Sequence, residues 1–267
     1  MSDVIFPHLG DWEPTRATLH AYALAVSAIP RAHAEPKQRF WHLGLTVTPE
    51  GLVTDDIRLP GGGSFRVRMD LQRHLVVFDG DATAAFDMMG GLTGTEFADQ
   101  LVRAAGELGL GGDYLRLKFE NPEPRQYDPG AAERFFGVLL EVSRLFEVHR
   151  AGVSGESGPV HLWPHGFDLS FEWFGTKTGI HDGVEYPSQL NLGFFPAGRP
   201  YFYSNPWPFD KKALVGTPLP SGAEWFTDGW EGTILYYDQL VGDPEGPQKL
   251  LEYARAVFEI ALPTLVA

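Results

Sequence analysis

Four stretches of this chain repeat their apolar residues at helical spacing. The sequence between them alternates at period two and is cut by glycine and proline. This division limits the fold more than any other feature. Residues 15–30, TRATLHAYALAVSAIP, place Leu19, Tyr22, Ala23, Val26 and Ile29 on one face, and Pro30 is expected to stop the helix. Residues 94–110 carry Phe97, Leu101, Ala105 and Leu108 behind Thr95 as the expected cap. Residues 128–150 open with Asp128 as cap and Pro129 at the first helical position. Their apolar side chains run round most of the circumference, which predicts a central helix. Residues 246–265 open with Pro247 and carry Leu250, Leu251, Ala254, Val257, Phe258 and Ala261.

Between the first two helices lie FWHLGLTVT, GLVTDDIRL, SFRVRMDLQ and HLVVFDG. They read as hairpin strands turned at Thr48-Pro49-Glu50-Gly51 and Gly61-Gly62-Gly63. YLRLKFE (114–120) reads as a short strand. Between the last two helices come HLWPHGFDLSFEWF, SQLNLGFF, PYFYSNPW and GTILYYD. The order helix, strands, helix thus occurs twice, without strict β–α alternation. The expected class is α+β: two fused helix–strands–helix halves, residues 1–122 and 123–267, with mainly antiparallel sheets packed against helices. They would meet at Asn121-Pro122-Glu123-Pro124. The repeat is one of architecture, since the halves share no convincing identity of residues.

Composition removes several function classes. The formal net charge is −14 with Lys and Arg scattered, which sets aside a nucleic-acid backbone or an anionic lipid surface as partner. The absence of cysteine removes disulfides, thiolate nucleophiles and zinc–thiolate centres. No apolar run approaches the roughly 20 residues of a membrane span. The opening MSDVIFPHLGDWEP lacks the basic-then-apolar pattern of a secretory signal. The expectation is a soluble cytoplasmic protein of undetermined oligomeric state.

Residues 159–173, PVHLWPHGFDLSFEW, concentrate the chemistry. Two imidazoles four apart suit a metal on a helix. On an extended strand, however, such residues stand roughly 13 Å apart. Pro164 and Gly166 can break the strand and bring His161 and His165 together, with Asp168 turned toward them as a further ligand or as the base that activates water. The plainer reading is two satisfied histidines at a strand bend. PYFYSNPWPF (200–209) is a second concentration, and five of the seven tryptophans fall in the C-terminal half. Phe202 reads as core there, and Tyr201, Tyr203 and Trp207 as a partly open wall. Asp228-Gly229 and His181-Asp182-Gly183 read as turns. His20 and His42 read as structural when taken singly. If the halves are pseudo-symmetric, they complete a four-histidine cluster with His161 and His165. No phosphate loop, calcium loop, nucleophile elbow or dinucleotide fingerprint survives inspection.

Several stretches together resemble an uncharacterised bacterial family catalogued as domain of unknown function 5996. They are Thr18-Leu19-His20, Trp41-His42 leading into Thr48-Pro49-Glu50-Gly51-Leu52, and Tyr127-Asp128-Pro129. Pro159-Val160-His161 through Phe167-Asp168-Leu169, Gly193 through Gly198, and Pro200 through Pro208 belong to the same set. The resemblance runs over nearly the whole chain. It implies no activity, but it marks the histidine and aromatic stretches.

The leading functional reading is a small-molecule-binding protein with a cleft in its C-terminal half. His161 and His165 are its polar contacts, and Tyr203 and Trp207 its stacking walls. The alternative is a metal-assisted hydrolytic enzyme, its divalent ion held by His161, His165 and Asp168. A third reading is a homo-oligomeric interaction protein that pairs through the aromatic stretch.

Overall fold

A computed structural model of the chain describes residues 5–267. Helix α1 (Glu13–His33) buries Leu19, Tyr22, Ala23, Val26 and Ile29, the stripe read from its periodicity. It does not stop at Pro30 but closes when the Ala34 amide donates to the Pro30 carbonyl. So near the helix end, proline removes one hydrogen bond without forcing a break. Strands β1 (Thr46–Thr48), β2 (Gly51–Val53), β3 (Ile57–Arg58), β4 (Ser64–Asp70), β5 (Leu75–Gly80) and β6 (Ala84–Asp87) form an antiparallel sheet. Its order is β1-β2-β4-β5-β6, with β3 also on β4. Helix α2 (Gly94–Glu107) packs against α1, where Tyr22 and Phe97 stack with ring centroids 4.0 Å apart.

The cap of α2 is Thr93, not Thr95. Its hydroxyl accepts from the Glu96 amide at 3.1 Å, and the Glu96 carboxylate accepts from the Thr93 amide at 2.9 Å. The Thr95 hydroxyl instead accepts from the Asn121 amide at 2.8 Å. Helix α3 (Pro129–Gly152) opens as expected, with Asp128 Oδ1 accepting from the Ala131 amide at 3.0 Å. One expected strand is cut short and another is missing. Gln38–Leu43 is a 3-10 turn, so only Thr46–Thr48 of FWHLGLTVT is strand. YLRLKFE contains a 3-10 turn at Arg116–Lys118, with Leu117 93% exposed. Alternation without a paired neighbour is not enough to make a strand.

Further along come β7 (Glu156–Ser157), β8 (His161–Trp163), β9 (Asp168–His181), β10 (Val184–Phe195), β11 (Tyr201–Ser204) and β12 (Pro206–Trp207). Helix α4 (Lys211–Leu214), β13 (Glu224–Phe226), β14 (Gly232–Tyr236) and α5 (Gly246–Leu265) complete the chain. The order β13-β14-β11-β10-β9-β7 is antiparallel throughout, with β12 added to β10. Residues 161–173 are therefore not one strand. Pro164–Phe167 form a turn in which the Phe167 amide donates to the Trp163 carbonyl at 2.8 Å, with Phe167 at φ 54°.

The chain forms two compact units, and neither follows a 1–122/123–267 cut. The N-terminal unit is Leu9–Leu140 plus His161–Phe167, and the C-terminal unit is the described residues 5–8, Glu141–Val160 and Asp168–Ala267. Within the first, β8 is held by Leu45 and Leu162, which exchange both backbone hydrogen bonds at 2.8 and 2.9 Å. Within the second, Phe6 meets Tyr237 at 5.7 Å, and Phe171, Phe194, Phe202 and Phe146 fill the core. The α+β class and the antiparallel sheets are those the sequence pattern implies. Among the described residues, no helix is long and apolar enough to cross a membrane.

Candidate functional site

The Leu45–Leu162 exchange lays His161 flat against the backbone of Gly44. A Cβ built on Gly44 would stand 2.5 Å from His161 Cγ and 2.8 Å from Nδ1, so only glycine permits this approach. His161 is 6% exposed. Both ring nitrogens are shielded from solvent and find no hydrogen-bond partner within the chain. Burial pushes the imidazole pKa down to about 4, with Asp55 pulling it up and Lys37 pushing it down. The ring is therefore neutral at pH 7, with one nitrogen a donor and the other an acceptor.

Other unspent polar groups gather on the same part of the N-terminal unit. Asp55 Oδ2 is shielded and meets Lys37 Nζ in an ion pair at 2.7 Å. His42 Nδ1 accepts from the Lys37 amide at 3.1 Å, which leaves the ring proton on Nε2. Burial lowers the His42 pKa as well, and its charged neighbours are Asp55, Arg31 and Lys37. Arg31 Nε and Trp41 Nε1 are both shielded and without a partner. The Arg31 side chain makes no hydrogen bond or ion pair among the described residues. A buried donor left unpaired costs about 1–3 kcal/mol, so several at one locus is not a neutral arrangement.

Asp55 also lines an open groove of about 460 Å³ on the β1–β2–β4 face, with Thr46, Thr48, Glu50, Arg66 and Arg68 among its walls. Thr46 and Thr48, like Arg66 and Arg68, are two residues apart on a strand and so share a face. Arg66 Nε donates to Asp56 Oδ1 at 2.6 Å, which holds the Asp56 carboxyl below its usual pKa range. Arg68 donates from Nη1 to Asp70 Oδ2 at 2.7 Å and to the Glu50 carbonyl at 3.1 Å. The groove is thus a charged, internally paired surface with Asp55 as the link to His161.

The turn beside this locus is strained. Arg39 and Phe40 are consecutive left-handed residues at φ 54° and 59°, and Phe40 is 69% exposed. Two successive non-glycine residues in that region cost roughly 1–2 kcal/mol each, and such strain gathers at functional sites.

The residues expected to form a site divide between the units. His161 and His165 both lie in the N-terminal unit. Each meets Trp163 edge-on, at 5.7 and 5.9 Å, and His165 itself is exposed. The His165 carbonyl accepts from His20 Nε2 at 3.3 Å, and His20 stacks on Phe167 at 5.5 Å. The four histidines therefore do not form one cluster: His20 meets the backbone of His165, while His42 and His161 share Asp55 and Lys37 as charged neighbours. Asp168, Tyr203 and Trp207 belong to the C-terminal unit. There the Tyr203 hydroxyl donates to Asp168 Oδ2, and its ring lies across Gly193. Burial, then the Asp168 charge, raises the Tyr203 pKa well above that of a free phenol. Trp207 crosses Gly179 and meets Tyr186 at 6.5 Å. Among the described residues, no group of three or more His, Asp or Glu side chains is placed to hold a metal ion. The expected ion site has no assembled ligand set there.

Sequence reading passes over Arg31, Lys37, Gly44 and Asp55. Trp41-His42 is the one local signal in that region. Asp55 sits in a run that alternates like any strand, and nothing near it in sequence points to His161.

The model of a family of unknown function, DUF5996, matches residues 6–265. No curated protein and no solved structure matches the chain. The matched span holds both sheets, the groove and the four histidines, and the chain belongs to the DUF5996 family.

Proposed function

We propose that the chain is a small-molecule-binding protein whose site is the N-terminal groove and the His161–Asp55–Lys37 cluster at its end. One observation carries this reading: Asp55, which lines the polar groove and pairs with Lys37, is also a charged neighbour of the buried, unpartnered His161. Pockets of a few hundred Å³ with a few convergent polar groups are where small ligands bind. A neutral imidazole that both donates and accepts, next to a carboxylate already held by Lys37, suits a ligand hydroxyl or amine. His165 stands at the far side of Trp163 and is a peripheral contact in this reading. The aromatic stretch at 200–209 plays its part within the C-terminal sheet.

The test is a ligand screen with a fixed panel: glycerol, lactamide, lactate, malate and serine, read by saturation-transfer NMR and thermal shift. At least one member is expected to bind, and His161→Gln or Asp55→Asn should weaken it about tenfold, the worth of one hydrogen bond to a charged group. A panel that does not bind, or binding indifferent to both substitutions in folded protein, overturns the assignment.

A further inference from the structure

The C-terminal unit carries a hollow of its own, open to solvent and about 440 Å³ in volume. Its walls come from β9, from the segment after β12, from α4 and from the end of α5. The chain has six lysines, and three of them, Lys177, Lys211 and Lys212, line this one hollow. Asp210 is the carboxylate among its walls. On a chain of formal net charge −14, such a local reversal of sign is unexpected. Lys177 is fixed in place, because its Nζ donates to the Pro263 carbonyl at 3.2 Å and to the Thr264 carbonyl at 3.1 Å. An ammonium has three donors, so one remains. The Lys211 and Lys212 side chains make no hydrogen bond or ion pair among the described residues. Asp210 does not neutralise them: its Oδ1 accepts from the Lys212 and Ala213 amides at 3.2 and 3.1 Å. Pro208 and the half-buried Phe209 add an apolar wall, and the Phe209 ring is held edge-on to Trp225 at 6.2 Å.

We propose that this hollow is a second binding site, which takes a small organic phosphate. The phosphoryl group is received by Lys177, Lys211 and Lys212, and the organic part lies against Phe209 and Pro208. Three ammonium groups suit a phosphate monoester better than a carboxylate, because the monoester carries about −1.5 to −2 charge at pH 7 and three strong acceptor oxygens. Lysine binds phosphate as a point charge and needs no planar match. The size of the ligand follows from the rest of the chain. A small dianion meets only the local patch, whereas an extended polyanion or an anionic bilayer also meets the negative field around it.

The experiment uses the full chain and four probes: phenyl phosphate, inorganic phosphate, benzoate, and vesicles of equal parts phosphatidylserine and phosphatidylcholine. Calorimetry gives the dissociation constants of the small probes, and co-sedimentation reads the vesicles. Phenyl phosphate is expected to bind with a dissociation constant below about 1 mM, with inorganic phosphate and benzoate each at least about tenfold weaker. The vesicles are expected to stay unbound. Lys211→Gln with Lys212→Gln should weaken phenyl phosphate at least about tenfold, and Phe209→Ala should bring it down to the affinity of inorganic phosphate. Since neither lysine side chain has a partner to lose, the double variant is expected to fold, and the dispersion of its amide spectrum checks this.

Phenyl phosphate that does not bind at 10 mM overturns the proposal, and so does binding that the folded double variant leaves unchanged. Benzoate binding as tightly as phenyl phosphate overturns the phosphate class, and inorganic phosphate doing so overturns the role of the apolar wall. Vesicle binding that the double variant loses overturns the small ligand in favour of a lipid surface. Each of these results leaves the N-terminal groove untouched, because none of the substituted residues belongs to that unit.

Discussion

His161 is tolerated because residue 44 has no side chain. A methyl group at Gly44 would lie 2.5 Å from His161 Cγ and 2.7 Å from its Cβ, well inside van der Waals contact. Gly44→Ala should therefore destabilise the protein by about 1–3 kcal/mol, the usual cost of overfilling a packed site. In a His161→Ala background the cost should shrink but not vanish, because the Cβ contact remains. Urea unfolding of the four proteins in the cycle measures this coupling, and purely additive effects would show that the ring is not what Gly44 accommodates. His161 also ties stability to pH. Its folded pKa is about 4, below the 6.5 of the unfolded chain, so the unfolded state takes up a proton first as pH falls. The contribution is complete above about 6.5 and is lost as pH drops toward 4, about 3 kcal/mol in all. His149 is held near 4 by burial as well and gives the C-terminal unit the same slope. The comparison is therefore wild type against His161→Leu, whose loss of stability between pH 7 and pH 4.5 should be smaller.

At the scale of elements, the informative pieces are the two short segments that alternate like strands and are not. Gln38–Leu43 is diverted into a 3-10 turn that carries Arg39 and Phe40 left-handed. Phe40 is largely exposed and packs little, so Phe40→Gly should relieve strain at small cost in contacts. A rise in stability of about 1 kcal/mol is expected, readable as a higher melting temperature. A fall would mean that the Phe40 ring holds the turn. Helix α2 supplies a control. Thr93→Ala breaks a closed capping box and should cost about 1 kcal/mol, measured by the same unfolding assay. The pattern of α2 is visible in its apolar stripe, but the choice between Thr93 and Thr95 is not. Both are followed by residues that suit a first turn, and the decision comes from the Asn121 amide, which occupies the Thr95 hydroxyl.

For the whole molecule, the two units are interleaved in sequence. The N-terminal unit includes His161–Phe167, and the C-terminal unit includes residues 5–8. Phe6 stands against Phe202 and Tyr237, and the Tyr237 hydroxyl donates to the Pro7 carbonyl at 2.7 Å. A fragment of residues 1–122 lacks β8 and the first half of α3, which supplies the buried Phe135, Phe136 and Leu139. It should give a poorly dispersed amide spectrum, whereas a well-dispersed one would show that the proline-rich stretch near residue 122 is a true boundary.

Periodicity, caps and turn residues are enough to read the four long helices, the hairpin turns at 48–51 and 61–63 and the α+β class from the letters. The absence of thiol chemistry is legible in the same way. These signals act over a few positions and leave a local trace. The letters also mark His161, and set it beside His165 and Asp168. Tertiary packing alone brings Gly44, Asp55 and Lys37 to His161 and leaves Asp168 to Tyr203. The Leu45–Leu162 exchange that does this joins residues 117 apart, a register set by the packing of whole faces rather than by any local pattern.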